Sequence, residues 1–354
     1  MSAAKRLPDL SGQLIQDGAF HLRLLSLLGA GTFGRVYKAV DVTSKPGAQV
    51  FYAVKCMARA LPGSEDSSMQ EREIQCHKAV SDHPNVVTLH RHFTTDEYLF
   101  LVLELVEGGT LLDALKRKVF GSDTERIKCA MEEVIDAVEH LQANGVAHRD
   151  IKPDNFLCDK DGSNIRLADF GLATIGWTSN HVAGTRPYLA PEAFESNASL
   201  RLNDLWATAM TFANIISSSG CPLWKEAKVA DPDFQCFLGN PGGFLEAALG
   251  MRLTHECLLY LDWCFHPDPE ERPTLFEMRS GLDDIPAFED ATKRRDSVST
   301  VASGLTTGES ALESSVVATS EQLEHIAFVI IPASQKPRRR SVFRRFFKFA
   351  TRKL

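Results

Sequence analysis

Residues 147–156, AHRDIKPDNF, set an imidazole, a guanidinium, an ammonium, two carboxylates and an amide within ten positions, between the apolar stretches AVEHLQANGV and FLCD. So many polar groups in one loop call for several opposite charges to answer. A second stretch, LGAGTFGRVYKAV, holds Gly29, Ala30, Gly31, Thr32, Phe33, Gly34 and Val36 in the spacing G-x-G-x-x-G-x-V. Glycines so spaced let backbone amides approach phosphates without interference from Cβ. A dinucleotide-binding fold has a similar string but follows it with a helix; here a second β-like run, RVYKAV, follows, which disfavours that fold. Next comes FYAVKCM, where alternation along a strand puts Ala53 and Lys55 on one face, the first able to admit a flat base and the second an anionic phosphate. Glu73 shares a helical face with Met69, Cys76 and Val80. A carboxylate on such a face needs a partner, and Lys55 is the candidate.

The elements that must position these groups fall into two kinds. Between about Phe20 and Arg91 short β-like runs (HLRLLSLLG, RVYKAVDV, QVFYAVKCM) alternate with Gly-rich turns, and one helical stretch, SSMQEREIQCHKAVSD, interrupts them. YLFLVLELV reads as a further buried strand. After Gly108 and Gly109 helices dominate: TERIKCAMEEVIDAVEHLQANG has apolar residues at helical spacing and a stop at Gly145, and NDLWATAMTFANIIS is apolar nearly all round, as a helix central to a large lobe is. The expected organisation is an N-terminal extension over 1–19 and a globular region over 20–285, divided near 105 into a small mainly β lobe and a larger mainly α lobe. A Ser/Thr-rich disordered linker over 286–335 and a basic tail over 336–354 follow.

The bulk properties bound the function. With 354 residues, 44% of them hydrophobic, a large core is within reach. A net charge of -7 and a pI near 5.9 argue against a general nucleic-acid binder. Eight cysteines without a C-x-x-C pair suit reduced thiols. The first twenty residues lack the apolar core of a signal peptide, and no run reaches the roughly 18 apolar residues of a membrane span, so a cytoplasmic or nuclear location is expected.

Taken in order, HRDIKPDN has the form H-R-D-x-K-x-x-N, DFG stands at Asp169, Phe170 and Gly171, and GTRPYLAPE closes on Ala190, Pro191 and Glu192. Over about residues 20–282 the chain resembles a eukaryotic protein kinase. Lys152 and Thr185 resemble the serine/threonine branch, and PLWKEAKVADPDFQCFL is similar to fungal kinases related to meiotic and nutrient-signalling regulators. The resemblance implies a bilobal α+β fold and ATP- and Mg²⁺-dependent phosphoryl transfer to serine and threonine hydroxyls of protein substrates. A pseudokinase scaffold on the same fold is the alternative. Asp150 would accept or orient the hydroxyl proton, Lys152 would neutralise charge in flight, and Asn155 with Asp169 would hold the metal. Lys55, held by Glu73, would grip the α- and β-phosphates beneath the glycines. Leu103 would guard the pocket behind the adenine, and Glu104 and Val106 would lend backbone hydrogen bonds to the base. His148 and Phe170 would pack the catalytic loop, and Arg272 would pair with Glu192.

Three departures from the family pattern stand out. Ala209 replaces the usual glycine, where one methyl in a packed helix costs about 1 to 3 kcal/mol unless neighbours such as Phe212 adjust. His181 occupies the place of the usual phosphothreonine, which moves attention to Thr178 or Ser179 as the modified residue or to a loop ordered without phosphate. Thr110 stands where relatives that prefer basic substrates carry an acid.

The tail KPRRRSVFRRFFKFATRKL has nine basic residues and no acid. On a helix Phe343, Phe346, Phe347 and Ala350 would line one side and Arg344, Arg345, Lys348 and Arg352 lie away from it. That pattern suits an anionic membrane surface or a calmodulin-like partner. A nuclear-import signal and docking on the acidic body are the competing readings.

Overall fold

The computed structural model describes residues 7–31, 34–45, 47–179 and 181–289. A six-stranded antiparallel sheet comes first, in the order β1-β2-β3-β4-β6-β5. Its strands are β1 (Leu14–Asp17), β2 (Phe20–Gly31), β3 (Gly34–Asp41), β4 (Phe51–Ala58), β5 (Leu89–Thr94) and β6 (Tyr98–Leu103). The sheet begins earlier than the expected boundary at Phe20. Strand β1 pairs with β2 in the register Ile15↔Leu22, and Leu10, almost fully buried, donates its N–H to the Tyr37 hydroxyl at 3.1 Å. Burial of Leu10 and Ile15 beside Leu22, Leu24 and Val54 explains why this stretch belongs to the lobe.

Among the described residues helix α1 (Glu65–Val80) is the one helix of this lobe. Ser64 caps it by accepting the Ser67 N–H, and Glu65 and Asp66 lie in its first turn, where carboxylates favour the helix dipole. Strand β6, expected to run through YLFLVLELV to Val106, ends at Leu103, where the Glu104 N–H turns to the Thr88 carbonyl oxygen at 2.9 Å.

The second lobe is helical. It contains α2 (Leu111–Lys116), α3 (Thr124–Ala143), α4 (Leu200–Ser217), α5 (Pro232–Gly239), α6 (Pro241–Leu249), α7 (His255–Cys264) and α8 (Leu275–Asp283). Among the described residues three pairs of two-residue strands stitch its loops: β7 (Val146–Ala147) with β10 (Thr174–Ile175), β8 (Phe156–Leu157) with β9 (Arg166–Leu167), and β11 (Thr178–Ser179) with β12 (Ala198–Ser199). Helix α4 runs through the middle, as its apolar sequence requires, with Thr208 and Thr211 returning their hydroxyls to the Asp204 and Ala207 carbonyls one turn back. Ala209 is fully buried on it, close-packed in the same core as Phe212 and Trp206. The two lobes thus form the bilobal α+β arrangement expected.

The lobes are tied at the base of α1. Asn85 gives its Nδ2 to the Ile165 carbonyl at 2.8 Å, the Val87 N–H donates to the Leu167 carbonyl at 2.9 Å, and the Leu167 N–H donates to the Asn85 carbonyl at 2.8 Å. Among the described residues no helix is long and apolar enough to cross a membrane. The linker expected over 286–335 begins later than its sequence suggests: Phe288 is buried in the core, its carbonyl accepts the Thr254 N–H at 3.1 Å, and the Thr254 hydroxyl donates to the Ala287 carbonyl at 2.6 Å. Residues 290–335 and the basic tail lie outside the described residues.

Candidate active site

The cleft between the lobes gathers the residues singled out in the sequence. Cross-strand neighbours share a face of a sheet, and the registers Val36↔Lys55, Ala53↔Leu103 and Lys55↔Leu101 bring Val36, Ala53, Lys55 and Leu103 to one side of it. Lys55 reaches from there to Glu73 Oε1 at 2.7 Å and to Asp169 Oδ1 at 2.8 Å. Burial works against its charge, and the carboxylates of Glu73 and Asp169 outweigh it, holding the ammonium above its ordinary pKa. One cation therefore clamps a helix of the small lobe to a loop of the large one.

The glycine string divides by function. Gly34 has φ +149°, and a Cβ there would lie 2.4 Å from the Cys56 carbonyl oxygen, so the sheet itself demands glycine. Among the described residues nothing lies within 4 Å of a Cβ added at Gly29 or Gly31, so packing within the sheet does not demand glycine there. Ala30 pairs with Arg35 in the same hairpin. Thr32 and Phe33 lie outside the described residues.

At the mouth toward the hinge, Glu104 commits its N–H to Thr88 and its side chain to Arg166 Nε at 3.1 Å, so its carbonyl oxygen is what it can offer a base. Val106 follows two residues on, half-buried.

The polar loop closes on itself. Asp150 Oδ2 takes Lys152 Nζ at 2.8 Å and Asn155 Nδ2 at 3.0 Å, and its Oδ1 takes both the N–H of Thr185 at 2.9 Å and the hydroxyl of Thr185 at 2.7 Å. Lys152 also donates to Thr185 Oγ1 at 2.7 Å. Burial would raise the Asp150 pKa, but the bonds from Lys152 and Thr185 prevail and keep the carboxyl below its ordinary range. Asn155 spends its amide nitrogen on the Asp150 carbonyl and carboxylate, which leaves Oδ1 as its acceptor. Asp169 sits at φ +59° and Arg149 at φ +69°, a left-handed backbone rare for residues with a Cβ and typical of sites that hold strain for function. The Asp169 carboxyl is likewise kept low, burial being outweighed by Lys55.

Below this layer are residues whose contacts the sequence left unassigned. Asp204 accepts the N–H groups of His148 at 2.7 Å and Arg149 at 2.8 Å, and burial pushes it up to about 7 in spite of those bonds. His77, one turn beyond Glu73 on α1, stacks on Phe170 with centroids 4.3 Å apart, while its Nε2 lies 2.7 Å from the Val87 carbonyl oxygen. His148 also meets Phe170, edge-on, with centroids 5.1 Å apart. The i, i+4 spacing of Glu73 and His77 was the available signal. Arg149 lies against His181 O at 2.7 Å and Ser179 Oγ at 3.5 Å, so of the two hydroxyls considered for modification it is Ser179 that faces the guanidinium. Arg272 pairs with Glu192 through two bonds, of 2.6 and 2.8 Å.

A cation fits the donor set. Among the described residues no cluster of three or more His, Cys, Asp or Glu side chains could hold a metal. A single carboxylate, Asp169, with the amide oxygen of Asn155 is nevertheless what Mg²⁺ takes from a protein when substrate phosphates supply further ligands.

Residues 22–281 match the family model described as "Protein kinase domain". The chain belongs to that family. Members use ATP as the phosphoryl donor, generally with a divalent cation. The chain is 30% identical over 295 residues to the "Negative regulator of sexual conjugation and meiosis" of Schizosaccharomyces pombe, covering 76% of this chain and 60% of that one. It is 37% identical over 202 residues to the "Serine/threonine-protein kinase cds1" of the same yeast, covering 54% of this chain and 42% of the relative. To the human "Ribosomal protein S6 kinase alpha-1" it is 33% identical over 205 residues, 56% of this chain and 27% of that protein. These relatives place it in the serine/threonine branch. The chain spans 60% or less of the length of each of them.

Proposed function

We propose that the chain transfers the γ-phosphoryl group of ATP, with Mg²⁺, to serine and threonine hydroxyls of protein substrates. The observation that carries this is the Lys55 clamp: one buried ammonium joined to Glu73 and Asp169 while Asp150, Lys152 and Thr185 are already bonded to one another. A transfer reaction with no covalent intermediate depends on such placement of charges. The scaffold alternative has no observation in its favour.

In this reading Gly29, Ala30, Gly31 and Gly34 cover the phosphates, Val36, Ala53 and Leu103 flank the base, and Glu104 and Val106 offer it backbone groups. Lys55 leaves Asp169 for the phosphates while Glu73 keeps it aimed. Asn155 and Asp169 would hold Mg²⁺, which when bound would shield the phosphate charge. Asp150, anionic at neutral pH, orients the incoming hydroxyl and receives its proton late, and Lys152 offsets charge on the phosphoryl oxygens. The tail over 336–354 is proposed to bind an anionic membrane surface.

Labelled phosphate transfer from ATP to a generic protein substrate, with and without Mg²⁺, tests the assignment. Asp150→Asn is expected to lower turnover by ~10²- to 10⁴-fold and Asp169→Ala to abolish the Mg²⁺ response. Wild-type turnover in Asp150→Asn would remove that residue from the reaction.

A further inference from the structure

Between Gly184 and Glu192 five residues are tied to the body of the lobe. Gly184 has φ +118°, and a Cβ there would lie 2.3 Å from the Arg149 carbonyl oxygen. Thr185 is held by Asp150 and Lys152, the Tyr188 hydroxyl donates to Asn214 Oδ1 at 2.9 Å, the Ala190 N–H donates to Asn203 Oδ1 at 3.0 Å, and Glu192 is paired with Arg272. Arg186 breaks the pattern. Its side chain is 68% exposed, and its guanidinium reaches out to Glu226.

Glu226 is shared. It also takes Lys228 Nζ at 2.9 Å, and that ammonium lies 3.9 Å from the centroid of the Phe194 ring. Lys225 is exposed beside them. The Glu226 carboxylate thus serves two contacting cations, one of them on the residue next to the threonine that touches Asp150, while the neighbouring Asp231 carboxylate is turned to the Lys225 and Glu226 N–H groups at 3.2 and 3.1 Å. A substrate hydroxyl presented to Asp150 lies on a peptide advancing at most about 3.6 Å per residue, so its near neighbours pass within reach of Arg186. The Glu226 carboxylate on Arg186 shows the kind of group that position accepts.

We propose that Arg186 selects substrates with an Asp or Glu within about two residues of the phosphorylated Ser or Thr, the substrate carboxylate replacing Glu226 on the guanidinium. The inference rests on the kinase reading above and names its substrate class. Exchange of one solvent-exposed ion pair for another is a modest effect, expected to favour an acidic over a neutral peptide about three- to fivefold. Asp154, exposed on the loop that carries Asp150, bears the opposite charge, so both flanks of the hydroxyl need to be scanned.

The experiment uses the full chain with ATP and Mg²⁺ and a set of serine peptides bearing Asp, Ala or Arg at each of the two positions on either side. Wild type is expected to show the acidic preference in kcat/KM on one flank, and added salt to shrink it. Arg186→Ala should bring the Asp-to-Ala ratio to about one, Arg186→Glu should reverse it in favour of Arg, and Glu226→Gln should enlarge it by freeing the guanidinium. A purely structural ion pair would instead let Arg186→Glu lower thermal stability while leaving the ratios where they were, and that result overturns the proposal. Equal rates for all wild-type peptides overturn it too. Absence of transfer to every peptide overturns the kinase reading beneath it.

Discussion

The Thr185 hydroxyl joins the two catalytic-loop charges: it donates to Asp150 and accepts from Lys152, both at 2.7 Å. Its removal would leave Asp150 Oδ1 with the Thr185 N–H alone and let Lys152 swing away from the line of transfer. Thr185→Ala is expected to lower kcat by roughly 10- to 100-fold, about 1.4 to 2.7 kcal/mol of barrier, with little change in KM for ATP. Thr185→Ser, which restores the hydroxyl, should recover most of it; steady-state kinetics of the two variants decide, and an equal loss in both would refute a role for the hydroxyl. The single residues of this layer were unequally legible. Lys55, Glu73, Asp150, Asn155 and Asp169 declare themselves in sequence because each carries a charge or amide at a fixed remove from its neighbours. Thr185 showed only as a marker of class. Its bond to a residue 35 positions earlier depends on the path of the segment between them, which local spacing does not encode.

Helix α1 brings more than Glu73 to the cleft. Four residues on, His77 is buried against Phe170, and burial pushes its pKa down to about 4 even though its bond to Val87 O works the other way. Lys55 and His148 add to the depression, and Asp169 opposes it. Against an unfolded value of about 6.5, the folded state binds fewer protons between those limits, so this stability is present above pH 6.5 and is lost as the pH falls toward 4. Between pH 7 and pH 5 the wild type should lose roughly 2 kcal/mol more than His77→Leu in denaturant unfolding. Parallel losses in the two proteins would place the titration elsewhere. The strands and long helices of this architecture were readable because period and caps repeat over many residues. The start of the sheet was not: the polar stretch SGQLIQD holds one buried side chain, Ile15, and follows another, Leu10, and both join a core built from strands distant in the chain.

At the scale of the whole molecule the charge is unevenly distributed: the chain carries -7 overall, although its residues 336–354 hold nine basic side chains and no acid. An acidic body and a basic segment respond to an anionic bilayer in opposite ways, and at ~1 kcal/mol for each basic residue near the surface several such contacts are enough for reversible retention. The four aromatic or alanine positions at helical spacing, Phe343, Phe346, Phe347 and Ala350, add apolar burial that a purely basic nuclear-import signal has no need of. Vesicles containing anionic lipid are therefore expected to retain the full chain more strongly than a chain ending at Gln335, and neutral vesicles to retain the two alike. A phosphate on Ser341, about -1.5 to -2 charges, should weaken the retention without abolishing it, since most of the basic residues would still be unopposed. Sedimentation at two salt concentrations separates the contributions: the electrostatic part falls as screening tightens, while the part carried by the phenylalanines persists. Equal sedimentation of full and shortened chains with anionic vesicles would assign the segment to a protein partner instead.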